Sequence, residues 1–335
     1  MAGFSEFKPT DLLARIAQIA AVVAPKSRTA EPEVKAELYD GLRVTLENQG
    51  GPRVTLLSSE AVAFIASEAV ALHNVETYLQ LGEVLHEQRK LTEAVSVFQR
   101  AAQLYPEDAR VYGKLGQIFA ERGQFVEASN ALWRALQLNP NDSDTCVCLG
   151  TVLEQQGSIA DAIALYRKAV QLNPQDATAC KGLGILLFRQ GNFSEAIALF
   201  HQVIQLSPNH GDTYTELGIV LAQQGNLEEA IAFYRKAIQL DPNHARAYFS
   251  LGVAWHKQGK LEEAIAAYNR AIQINLDYAE AYLNLGIALE QQQHRENAIV
   301  ALQMSRNLYR KQGNIQKATQ IEISLNQIKA IAGDR

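Results

Sequence analysis

Cysteine is scarce in this chain, with Cys146, Cys148 and Cys180 the only three in 335 residues. That number excludes a disulfide framework and points to a reducing compartment, so a cytoplasmic location is expected. No run of Lys and Arg occurs, and the net charge of −5 at a pI near 5.9 excludes the basic footprint that nucleic acid requires. No stretch approaches the ~20 apolar residues of a membrane span. The mostly apolar segment from Ile16 to Ala24 is flanked by Glu6, Asp11 and Arg15. That flank suits an amphipathic helix better than the basic start of a signal peptide.

Catalytic signatures are missing as well. There is no Gly-rich phosphate loop, nucleophile elbow or paired-carboxylate arrangement. The seven histidines, at 73, 86, 201, 210, 244, 256 and 294, show no metal-ligand spacing. Cys146 and Cys148 fall on different faces of a helix, which is poor chelating geometry. No catalytic, cofactor or metal site is expected, and the chain is read as a non-enzyme.

What the chain does have is apolar content, 47% hydrophobic against 20% charged, and an internal period. Glycine recurs every 34 residues at Gly82, Gly116, Gly150, Gly184, Gly218, Gly252 and Gly286. Twelve residues later stand Ala94, Ala128, Ala162, Ala196, Ala230, Ala264 and Ala298. Four further on come Phe98, Leu132, Tyr166, Phe200, Tyr234, Tyr268 and Leu302. Proline closes the first five units at Pro106, Pro140, Pro174, Pro208 and Pro242.

These columns resemble the tetratricopeptide repeat, a 34-residue helix–turn–helix unit. The units run 75–108, 109–142, 143–176, 177–210, 211–244, 245–278 and 279–312, and the resemblance implies an all-α, right-handed superhelical solenoid with helical caps. Its physics agrees with the residues. Small column residues let helix A of a unit approach helix B closely, so a bulky replacement overpacks the seam. A second glycine column, Gly123, Gly157, Gly191, Gly225 and Gly259, falls in the turn between the helices and is broken by Arg89 and Gln293. Acidic residues open helix B and basic ones close it, matching the helix dipole. The Gln-Gln-Gly turns look like those of bacterial repeat proteins.

Residues 1–74 lack the pattern and are expected to be a helical cap or docking region. One helix is capped by Thr10 or Asp11, a second runs from near Pro32 to before Gly50-Gly51-Pro52, and a third begins at Ser58 or Ser59. At the other end Leu276 and Arg310 replace the last two prolines, so helix B of unit seven is expected to run on to Gln312. A capping helix should then occupy 313–335.

The resemblance further implies a concave wall lined by helices A, where family members hold a peptide or a helix. Read by position, the wall contains Ile185, Ile219, Val253 and Ile287, with Phe188, Phe249 and Leu283 on the same floor. Arg189, Gln223, Lys257 and Gln291 flank them, with Arg246 one turn earlier beside Asp212 and Glu280. An apolar floor with a polar rim suits a protein segment. The alternative for Ile185 and its equivalents is packing between neighbouring helices A. The family's two-carboxylate clamp is absent, because Lys181, the only fifth-position lysine, is followed by Ile185 where the clamp needs asparagine. The asparagine ladder of glycosyltransferase arrays is absent too, with Asn284 alone at the sixth position. The expected function is a scaffold or adaptor for a partner protein. The alternatives are a self-associating module, hence a homo-oligomer, and the regulatory subunit of a separate enzyme.

Overall fold

The structure is a computed structural model that describes residues 42–47, 50–57 and 75–333, with side chains for 75–328. The chain divides into two compact units, Met1–Leu165 and Tyr166–Arg335.

The first unit carries a departure from the helical reading of its opening segment. Residues Leu42–Glu47 (β1) and Gly50–Leu57 (β2) form an antiparallel pair, where a helix from Pro32 up to Gly50 was expected. The β-branched Val44, Thr45, Val54 and Thr55 favour strands, and the short apolar pattern there does not distinguish the two periods. Pro52 sits where the register is irregular, between the Thr45–Arg53 and Glu47–Gly50 pairs, so its missing N–H costs the ladder little. The helices expected near Thr10 and after Ser58 lie outside the described residues.

The helices of the first unit are Val75–Glu87 (α1), Leu91–Leu104 (α2), Ala109–Glu121 (α3), Phe125–Leu138 (α4) and Ser143–Gln155 (α5), followed by Ile159–Leu172 (α6), within which the division falls. Within it α1 packs on α2 and α3 on α4. The side chains of Phe98 and Leu132 fill the space above Gly82 and Gly116. Arg134 reaches back to donate to the Pro106 carbonyl at 3.3 Å, tying one repeat to the turn that ends the repeat before it.

The second unit holds Ala177–Arg189 (α7), Phe193–Leu206 (α8), Gly211–Gln223 (α9), Leu227–Leu240 (α10), Ala245–Lys257 (α11), Leu261–Ile274 (α12), Ala279–Gln291 (α13), Arg295–Lys311 (α14) and Ile315–Gly333 (α15). The pairing of α9 with α10 shows why the glycine column exists. A Cβ on Gly218 would come within 2.5 Å of the Tyr234 ring, so only a hydrogen at that position lets the tyrosine lie flat on the helix. Turn glycines such as Gly225 have φ of +89°, and Arg89 and Gln293 adopt the same left-handed conformation without a glycine's freedom. Helix α14 has 17 residues against 14 in α12; Arg310 stands at a proline position and permits the extension, but Leu276 stands at the equivalent position after α12, which stops at Ile274 all the same. Helix α15 closes on it through Ala318, Ile321 and Leu325, which meet Leu302, Leu308 and Tyr309.

Helix starts differ along the array at the last position of each repeat. Asp108, Asp142 and Asp176 cap α3, α5 and α7 by accepting from the backbone N–H of Arg110, Asp144 and Thr178. Their equivalents His210, His244 and Tyr278 make no side-chain cap on α9, α11 and α13. Side chains that would have served local helix stability are thereby available for other contacts.

Candidate functional site

Helices α9, α11 and α13 stand side by side in the second unit and present their ninth positions, Ile219, Val253 and Ile287, on one side. Between them opens a cleft of about 320 Å³. Ile219 and Ala222 come from α9, while Arg246, Phe249, Ser250, Val253, Ala254 and Lys257 come from α11. Gln223, Tyr234, Tyr278 and Glu280 complete the lining. Six residues expected on the wall therefore meet here: Ile219, Gln223, Arg246, Phe249, Val253 and Lys257.

The other six lie elsewhere. On α7, Ile185 and Phe188 are half-buried and Arg189 is exposed, with the Phe188 ring tilted against Phe193 of α8 at 5.9 Å. On α13, Leu283 turns to the cluster around Leu308 and Tyr309. Ile287 is 40% exposed, and Gln291 is bonded through Oε1 to His256 Nε2 at 2.9 Å. Ile219 and Val253 are half-buried, between the packed and open extremes, and Val253 also touches the core of α12 and α13.

The floor is organised by an ion pair between repeats. Glu216 is only 9% exposed, and both of its carboxylate oxygens accept from the Arg246 guanidinium, one of them at 3.1 Å. A carboxylate buried this far needs such a partner. Burial pulls the Arg246 pKa down, and the hydrogen bonds and charge of Glu216 more than offset it, so the guanidinium is held firmly charged. The two-pronged contact fixes its plane and leaves its remaining N–H groups directed elsewhere.

Two tyrosines flank this pair. Burial pushes Tyr234 well above the usual phenol range, with Arg246 opposing and Glu216 adding to the effect. Tyr278 is pushed up to about 12, first by burial and then by Glu280, with Arg246 again opposing. Both hydroxyls stay protonated at neutral pH and can donate. The Tyr278 ring packs at 5.0 Å on Phe249. At the rim Glu280 pairs with Lys317 at 3.1 Å, whereas Lys257 and Gln223 have no side-chain partner among the described residues.

Sequence reading missed Tyr234, Tyr278, Ser250 and Glu216. A signal for Glu216 was present as an acid at the sixth position of one unit and a base at the second position of the next, 30 residues apart. Tyr278 had one too, in the change from aspartate to histidine to tyrosine at the helix-capping position. Among the described residues no cluster of His, Cys, Asp and Glu could hold a metal, and no helix is long and apolar enough to cross a membrane.

Comparison with known proteins gives a consistent picture. A model of the tetratricopeptide repeat matches residues 75–118, one of the cytochrome c-type biogenesis protein H TPR domain matches 106–214, and one of the TPR repeat matches 220–259 and 255–293. No curated protein matches the sequence significantly. Among solved structures, a MamA protein is 30% identical, over 51% of this chain and 94% of its own, with a TM-score of 0.47. A tetratricopeptide repeat protein from Parabacteroides merdae is 17% identical, over 74% of this chain and 98% of its own, with a TM-score of 0.61. The pilF protein of Pseudomonas aeruginosa is 21% identical, over 63% and 96%, with a TM-score of 0.54. With the repeat columns, the paired helices and the family models in agreement, this chain belongs to the tetratricopeptide-repeat family.

Proposed function

We propose that the chain is a protein-interaction scaffold that holds a segment of a partner protein in the cleft between α9, α11 and α13. The observation that carries this reading is the cleft itself. Phe249, Val253 and Ile219 give it apolar walls open to solvent, although the same residues could have been sealed by a closer approach of neighbouring helices. Apolar side chains left in a concave, polar-rimmed site favour docking of a complementary chain. Its fixed guanidinium and unpaired lysine add polar groups that orient what binds.

The test compares the intact chain with a variant carrying Ile219→Glu, Phe249→Glu and Val253→Glu in pull-downs from the native lysate, after circular dichroism shows equal helicity. A protein retained by the intact chain and lost from the variant supports the reading. Identical captures sink it.

A second reading, self-association, has its own surface. Val300 and Met304 of α14 and Ile315 and Ile323 of α15 are exposed apolar residues near the end of the array. In the other repeats the equivalents of Met304 include Arg100, Arg134, Lys168, Lys236 and Arg270. Light scattering on the intact chain and on a Val300→Glu, Met304→Glu variant tests it, a dimer that dissociates in the variant being the supporting outcome.

A further inference from the structure

Resting on the reading of the cleft as a protein-docking site, we propose that it takes one uncharged aromatic side chain of the partner segment, seated where α9 carries an alanine in line with rings on other helices A. The argument starts from the twelfth position of each repeat. In the sixth repeat this is His256, whose ring meets Tyr268 of its own helix B edge-on at 6.4 Å. Its Nε2 is bonded to Gln291 Oε1 of the next helix A at 2.9 Å. In the first repeat it is His86, bonded to Glu121 of the next helix A at 2.8 Å. In the fourth it is Phe188, half-buried with its ring tilted on Phe193 at 5.9 Å. His256 shows what the position reaches: helix B of its own repeat on one side and helix A of the following repeat on the other.

In the fifth repeat the same position holds Ala222. The residues that enclose the His256 ring have direct counterparts there, Tyr234 for Tyr268 and Lys257 for Gln291, and both line the cleft together with Ala222. The cleft of about 320 Å³ is therefore the room that a methyl group leaves where neighbouring repeats put a ring. Ala120 is the other alanine at this position, in a repeat whose helix B carries Leu132 where the repeats named above carry a ring.

The walls favour an aromatic guest over an aliphatic one. Phe249 lines the cleft, with its ring tilted against Tyr278 at 5.0 Å and against Tyr268 at 6.0 Å, so an inserted ring joins an existing aromatic cluster. Charge points the same way. Arg246 is closed by Glu216 and Glu280 by Lys317, so these charges are balanced within the protein and select neither an acid nor a base. Lys257 stands where Gln291 meets the imidazole in the next repeat, and an ammonium there complements the negative face of a neutral ring while disfavouring an imidazolium. The volume is at the small end for a binding site, which suits a single ring with its adjoining backbone.

The test turns on Ala222→Phe, which places in the fifth repeat the residue that the fourth already carries at this position. Circular dichroism and the thermal midpoint should show a chain no less stable than the original, and a clear fall in the midpoint would mean that no ring fits, overturning the proposal. A random-peptide display library is selected on the intact chain, with the Ile219→Glu, Phe249→Glu, Val253→Glu variant as counter-selection. Selected peptides are measured by fluorescence anisotropy, each beside versions with the aromatic residue changed to leucine or alanine. The expected result is a shared Phe, Tyr or Trp, binding weakened about three- to tenfold by leucine and about tenfold or more by alanine, and loss of binding to Ala222→Phe. Peptides that lack an aromatic residue, bind equally well with leucine in its place, or bind Ala222→Phe as tightly as the intact chain overturn the aromatic inference and leave the cleft reading standing. Failure to enrich any peptide over the triple variant overturns both.

Discussion

Replacing Arg246 with methionine would remove the guanidinium while keeping most of the aliphatic stem, leaving Glu216 in the wall with no counter-charge. Breaking a fully buried pair costs about 3–5 kcal/mol. Here the arginine side chain is 48% exposed, so water reaches part of the site and the estimate falls to about 2–3 kcal/mol. For a cooperative unit of this size that lowers the unfolding midpoint by roughly 5–10 °C. Adding Glu216→Gln should recover most of the loss, since the carboxylate that needed the partner is gone, and a double-mutant cycle read by thermal and urea unfolding separates pairing from packing. A loss below about 0.5 kcal/mol in the single variant, or an equal loss in the Glu216→Gln background, would refute the argument that burial of Glu216 depends on Arg246.

Two further outcomes follow from geometry away from the ion pair. Gln293 has φ of +63° in a turn where other repeats use glycine, so Gln293→Gly should raise stability by up to about 1 kcal/mol in urea unfolding, and a loss of stability would refute the claim of strain there. The raised Tyr278 pKa means that the folded chain holds this proton more tightly than the unfolded chain does. The associated stability is complete below the phenol's ordinary pKa of ~10 and is lost as pH climbs towards about 12. Unfolding followed against pH should show alkaline destabilisation beginning near ~10 that is smaller in Tyr278→Phe, and an unchanged profile would place that hydroxyl in contact with water.

The helix pairs were legible because each depends on residues close in sequence. Gly218 and Tyr234 are sixteen positions apart in one repeat, and their fit is written into the column spacing. The β1–β2 hairpin was not legible, because a short apolar run bounded by Gly50-Gly51-Pro52 reads as a strand or as the end of a helix until its pairing is known. For the candidate site, spacing alone put Ile219, Phe249 and Val253 on adjacent helices. It gave no account of how far those helices stand apart, and that distance decides whether the same side chains close a seam or wall a cleft.

Sequence by itself thus determined the repeat, its register and the face on which each helix A residue lies, since these follow from local periodicity and side-chain volume. Tertiary structure alone decided which polar groups converge. Glu216, Tyr234, Ser250 and Tyr278 come from three helices and a turn, and their burial beside Arg246 depends on packing between repeats that no single 34-residue unit contains.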